Sequence, residues 1–118
     1  MLNFESLKKD KNFFWTNHSK GKMLQYGTSP NAVKKVINRP DRVEIGIAPD
    51  TTAVMKRKDT KKTKRELWVM YQIVVKSPKL KVKSGGRKTR IISTWIYPGI
   101  SPKGKEIFIP EDVWEELS

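Results

Sequence analysis

The spacing of apolar and polar residues divides the chain into two regimes, helical first and extended afterwards. Phe13-Phe14-Trp15-Thr16 is aromatic and β-branched without helical spacing, which predicts a short strand. Thr16 or Asn17 can then cap a helix over about 18–26, with Gly27 at the position that favours a left-handed turn. Ser29 and Pro30 read as the N-cap and first residue of a second helix. Val33, Val36 and Ile37 keep the i, i+3, i+4 spacing of one buried face. Pro40 ends that helix, because the residue before a proline is pushed out of the helical region.

From Arg42 onward the pattern alternates. Arg42 to Ile47 reads as a half-buried strand, and Thr51 to Lys56 as its partner across Ala48-Pro49-Asp50. Leu67 to Val75 is the strongest strand, with Leu67, Val69, Tyr71, Ile73 and Val75 on one face. Leu80-Lys81-Val82 extends that hairpin towards a turn at Ser84-Gly85-Gly86. Arg90 to Tyr97 forms the last strand, stopped by Pro98-Gly99. Pro110 to Leu117 reads as a short acidic helix, with proline first and acids in its opening turn. The expected fold is α+β: two N-terminal helices on a twisted antiparallel sheet of four to five strands, covered on one face. The expected organisation is a single domain, with a lead-in over 1–12, a core over 13–99 and an acidic extension over 100–118.

Charge changes this picture most. The 118 residues hold twenty-five Lys/Arg against twelve Asp/Glu, a net +13. All twenty-five bases and seven acids lie in 1–105, a net +18; 106–118 holds five acids and no base. Two segments dominate. Seven of the ten residues from Lys56 to Arg65 are basic, and Lys76 to Arg90 holds seven more and no acid. Connecting strands of one sheet, they are expected to lie near one another and to form a site for a polyanion such as nucleic acid. The acidic helix is expected to dock on the domain; a sharper alternative lays it across the basic surface in competition with nucleic acid.

Other chemistry is sparse. With no Cys there is no disulfide framework, zinc-thiolate site or thiol nucleophile. No metal-ligand spacing and no phosphate-loop glycine pattern stand out, and no cofactor is expected. The start lacks a signal-peptide pattern, and the run from Leu67 to Val75 has about half the ~20 residues of a membrane span, so a cytoplasmic protein with no membrane partner is expected. The tryptophans Trp68 and Trp95 are expected core residues, with stacking on unpaired bases as the alternative.

Several short motifs together resemble a known group. These are Thr16-Asn17-His18, Lys22-Met23, Gly27, the second helix ending at Pro40, and Ile92-Ser93-Thr94-Trp95-Ile96-Tyr97-Pro98. The pattern is similar to that of small phage-derived, toxin-like domains of the barnase/EndoU/colicin/RelE-like nuclease superfamily, over about residues 13–99. Lys22 stands where arginine is more usual, and the segment from Lys76 to Arg90 is long and very basic. The resemblance implies a metal-independent ribonuclease acting on free or ribosome-associated RNA, a toxin held by an antitoxin or immunity protein.

Such cleavage uses the RNA's own 2′-OH as nucleophile and needs a base, an acid and cations near the phosphorus. His18 is the candidate acid/base, since only imidazole titrates naturally near neutral pH. Lys22, one helical turn on, and Arg90 are the candidate phosphate holders, with Thr94 and Tyr97 orienting the 2′-OH or sharing proton transfer. Lys56, Arg57, Lys58, Lys61, Lys62, Lys64, Arg65, Lys81, Lys83, Arg87 and Lys88 would grip the backbone. A non-catalytic RNA- or DNA-binding protein uses the same surface with a structural His18. Parity places Arg90 with Thr94 and sets Tyr97 on the opposite face, unless the last strand bulges.

Overall fold

The computed structural model describes residues 13–46, 50–75, 87–101 and 109–117. In chain order the elements are β1 (Phe13–Trp15), α1 (Asn17–Tyr26), α2 (Pro30–Asn38), β2 (Arg42–Ile45), β3 (Thr51–Arg57), β4 (Arg65–Val75), β5 (Arg87–Pro98) and α3 (Glu111–Leu117). This is an α+β fold. The helix ends follow the capping chemistry of the sequence. Thr16 accepts from Ser19 N and Ser29 from Ala32 N, while Gly27 takes the left-handed φ of 65° that a bulkier side chain resists.

The strands form one five-stranded sheet in the order β1-β5-β4-β3-β2. β2 to β5 make an antiparallel meander, but β1 pairs in parallel with β5, Phe13 opposite Thr89 and Trp15 opposite Ile91. The sheet is therefore mixed. β1 covers only the first part of β5. The chain then turns into α1, which packs chiefly on β5, while α2 lies over β3 and β4.

Both faces of the sheet are covered, rather than the one expected. On the first face Trp15, Met23, Val33 and Val36 meet Val54, Leu67, Val69 and Ile91. On the second, Ala53, Met55, Trp68, Met70, Ile92 and Trp95 are covered by Ile109 and Val113 from the C-terminal segment. Trp68 and Trp95 face each other across β4 and β5 with rings 6.1 Å apart and 6° from parallel. Both are essentially inaccessible, so they fill the core and offer no platform to a base.

A buried carboxylate ties the covering segment down. Glu66 Oε1 accepts from Trp68 Nε1 at 3.0 Å and Ser101 Oγ at 2.6 Å. Its Oε2 accepts from Arg57 Nη1 at 2.8 Å and Ser101 N at 3.1 Å. With four donors the buried charge is satisfied, and the chain leaving β5 is held against the second face. The residues assigned to an acidic extension thus include part of the core.

Where the structure describes them, the ends of the two basic segments lie apart. Successive hairpin connections of a meander alternate between its ends: Arg57 and Arg65 lie at one end, whereas Val75 and Arg87 pair at the other. Ten residue steps of β4 separate them, about 33 Å at ~3.3 Å per residue. Lys81 and Lys83, the extension at 80–82 and the turn at 84–86 lie outside the described residues.

Candidate nucleic-acid interface

The interface is organised by one irregularity in β5. Met70 pairs with Ser93 and Tyr71 with Ile91, leaving Ile92 as an extra residue. A β-bulge of this kind shifts the alternation of side chains by one position. As a result Arg90 lies opposite Gln72, Ser93 opposite Met70, Trp95 opposite Trp68 and Tyr97 opposite Glu66, all towards the second face. Ile91, Thr94 and Ile96 point to the first face. The parity conflict in the sequence is resolved in favour of Tyr97 and against Thr94.

The bulge also positions His18. Thr16 Oγ1 approaches the carbonyls of Ile91 at 2.9 Å and Ile92 at 3.2 Å, while accepting from Ser19 N at 3.1 Å. One hydroxyl thereby satisfies the irregular strand and caps α1. With the helix start pinned there, His18 Nε2 sits 3.0 Å from Ser93 Oγ, and the ring is half-buried. It is neither sealed in the core nor loose in solvent. Ser93 was not singled out from sequence; its only signal was a small polar residue within an apolar strand, and its facing depended on the bulge.

Next to this pair the second face opens. Phe14 is 50% exposed, and its neighbour across the parallel pairing is the exposed Arg90. Lys88 Nζ stands 5.9 Å from the centre of the Phe14 ring. Neither Lys88 nor Arg90 has an ion-pair partner among the described residues. An accessible aromatic ring flanked by two such cations offers a base a surface to stack on and its phosphates compensating charge. Arg87 opens the same strand.

The other proposed residues lie elsewhere. Lys22 is buried, its ammonium ion-paired with Asp112 of α3, hydrogen-bonded to Gln25 Oε1 at 2.9 Å and 5.7 Å from the Tyr26 ring. Lys22 is therefore already neutralised. Tyr97 is half-buried against the second core cluster, about 20 Å along β5 from Arg90. Thr94 is inaccessible and donates its hydroxyl to Trp68 O at 2.7 Å. Contact between Thr94 and a 2′-OH is corrected on that ground: the side chain serves the sheet.

The basic run over 56–65 divides as well. Arg57 is spent on Asp59 and Glu66, and Lys56 Nζ donates to Arg39 O at 3.1 Å. Lys61, Lys62, Lys64 and Arg65 are exposed, with Lys58 half-buried beside them. Asp59 organises this turn. The backbone N–H of Arg65, followed by the Arg57 guanidinium, holds its carboxyl below the usual range. Among the described residues no group of three His, Asp or Glu could hold a metal ion, and no helix is long and apolar enough to cross a membrane.

No protein-family model, curated protein or solved structure matches the chain. Its functional reading rests on its own residues.

Proposed function

We propose that the chain binds single-stranded RNA across the open part of the second face and cleaves it without a metal, His18 carrying the proton. One observation carries this reading: a half-buried imidazole, held by Ser93, borders a patch in which Phe14, Lys88 and Arg90 remain available. In the reaction the 2′-oxygen loses its proton and bonds to the adjacent phosphorus. The P–O5′ bond then breaks, and the 5′-oxygen takes up a proton. The products are a 2′,3′-cyclic phosphate and a 5′-hydroxyl. His18 can serve as the base or the acid of this exchange, while Arg90 and Lys88 offset the charge that builds on the phosphoryl oxygens.

The test is cleavage of a defined single-stranded RNA in excess EDTA. Wild-type protein is expected to cut it, and His18→Ala to cut about 10²–10⁴-fold more slowly while binding within about twofold of wild type. Undiminished cutting by the variant would overturn the role of His18. A second reading is favoured by the Lys22–Asp112 ion pair, which leaves that candidate phosphate holder neutralised. On that reading the chain binds RNA and cuts nothing. Tight binding of wild type without cleavage selects it.

A further inference from the structure

The cations of this molecule fall into two groups. Arg42, Arg57 and Lys22 are paired with Glu44, with Asp59 and Glu66, and with Asp112. By contrast, Lys35, Arg39 and Lys56 converge with Asn38 on a concavity of about 330 Å³ at the end of α2, with no carboxylate among the described residues of its lining. The Arg39 and Lys35 side chains have no hydrogen-bond or ion-pair partner among the described residues, and Lys56 commits one N–H to Arg39 O.

The simplest alternative is that these cations merely complement the C-terminal end of the helix. That end carries about half a negative charge. Two carbonyls there are already engaged, Lys35 O by Arg39 N at 2.9 Å and Arg39 O by Lys56. Three cations exceed what the dipole calls for by roughly two and a half charges. The excess is left facing a concavity.

We propose that this concavity is a second phosphate site, taking a phosphodiester of a nucleic-acid backbone rather than a free small anion. Two features select the polymer. Lys56 is the first residue of the basic run, whose exposed Lys61, Lys62, Lys64 and Arg65 continue the positive surface away from the concavity. The concavity lies at the opposite end of the sheet from Phe14 and Arg90 and on its other face, since Lys56 pairs with the first-face Leu67 near the start of β4 whereas Arg90 pairs with Gln72 near its end, towards the second face. A strand held at both places passes around an edge of the sheet and is gripped at two separated points. Lys35, Arg39 and Asn38 then fix the register of the RNA, at a distance from His18. This deepens the nucleic-acid reading above and rests on it.

The test uses the full chain and a 2′-O-methyl 20-nucleotide oligonucleotide, which lacks the nucleophile and is not cut. Lys35→Gln/Arg39→Gln, substituting two exposed side chains, is expected to bind about tenfold more weakly. Its salt slope should fall by about 1.4, at roughly 0.7 for each single-strand phosphate that the protein ceases to neutralise. A charge-matched double variant at Lys20 and Lys34, which do not line the concavity, is expected to lose less than a third of that. In parallel, amide NMR shifts of Asn38 and Arg39 are followed during titration with the oligonucleotide and with inorganic phosphate. Saturating shifts at micromolar oligonucleotide support the proposal. Saturation by inorganic phosphate alone, unchanged binding by the Lys35/Arg39 variant, or equal losses in the charge-matched control overturn it. The cleavage reading fails separately, through His18→Ala.

Discussion

The second face of the sheet has two halves built from the same two strands, and they are unlike. Towards the end of β5, Trp95 stacks on Trp68 under Ile109 and Val113, and the nearby cations are matched by Glu66, Glu44 and Asp112. Towards its start, Phe14 is half exposed and Lys88 and Arg90 have no carboxylate partner among the described residues. With only twelve acids against twenty-five bases, neutralisation is selective. Carboxylates stand where cations are buried or bridge elements, and the unmatched cations collect on the surface. A net charge of +13 therefore says that a polyanion is a suitable partner, while the pairing decides which cations are left to meet it.

Four perturbations put this contrast to the test. The largest effect is expected from Trp95→Ala, which empties an inaccessible site. It should cost about 3–5 kcal/mol in urea unfolding. Trp95→Phe keeps a ring and removes an indole N–H that has no partner, so it should cost clearly less. Equal losses would mean that the covered half is not held by this stack.

Glu66→Ala comes next. It leaves Arg57 with Asp59 as its only carboxylate among the described residues and removes the buried acceptor of Trp68 Nε1 and Ser101, with an expected loss of about 3 kcal/mol. Hydrogen exchange should then rise first at Ser101 and along α3, because Glu66 tethers the covering segment. Uniform acceleration across the sheet would argue against a tether.

On the open half, Phe14→Ala should leave thermal stability nearly unchanged and weaken single-stranded RNA binding by about 1–3 kcal/mol, the worth of one stacked base. An affinity equal to wild type would remove the patch from the interface. Unchanged affinity together with a large drop in melting temperature would return Phe14 to a structural role.

The smallest effect concerns the turn between β3 and β4. Folding lowers the Asp59 pKa below its ordinary value of 3.8. Its contribution is therefore fully present above that value and is lost as pH falls through the lower, folded one. The Arg65 amide signal should stay constant at neutral pH and move only in acid, and Asp59→Asn should abolish the transition. An Arg65 amide shift centred at neutral pH would contradict the assignment.

Much of the architecture was legible in local chemistry. Ser29-Pro30, Thr16 and Gly27 mark helix ends because capping involves residues only a few positions apart. Alternation from Leu67 to Val75 identified a long strand and set Leu67, Val69 and Tyr71 on one face, which the structure places against the helices. Helix spacing placed Val33 and Val36 inward. His18, Arg90 and the basic runs could be named because charge and titration belong to residue types.

What remained hidden depended on partners far apart in the chain. A single extra residue at Ile92 moved Arg90 to the face of Ser93 and Tyr97 and separated it from Thr94, and a bulge is defined only against the partner strand. Parallel pairing of β1 with β5 joins residues more than seventy positions apart. The match of Lys22 with Asp112 likewise needs the C-terminal helix to cross the sheet. The elements, their caps and the surplus of positive charge follow from the order of amino acids, because they arise from neighbours. Which side chains share a face, which charges cancel and which stay available was settled by folding, because those are distances between remote segments.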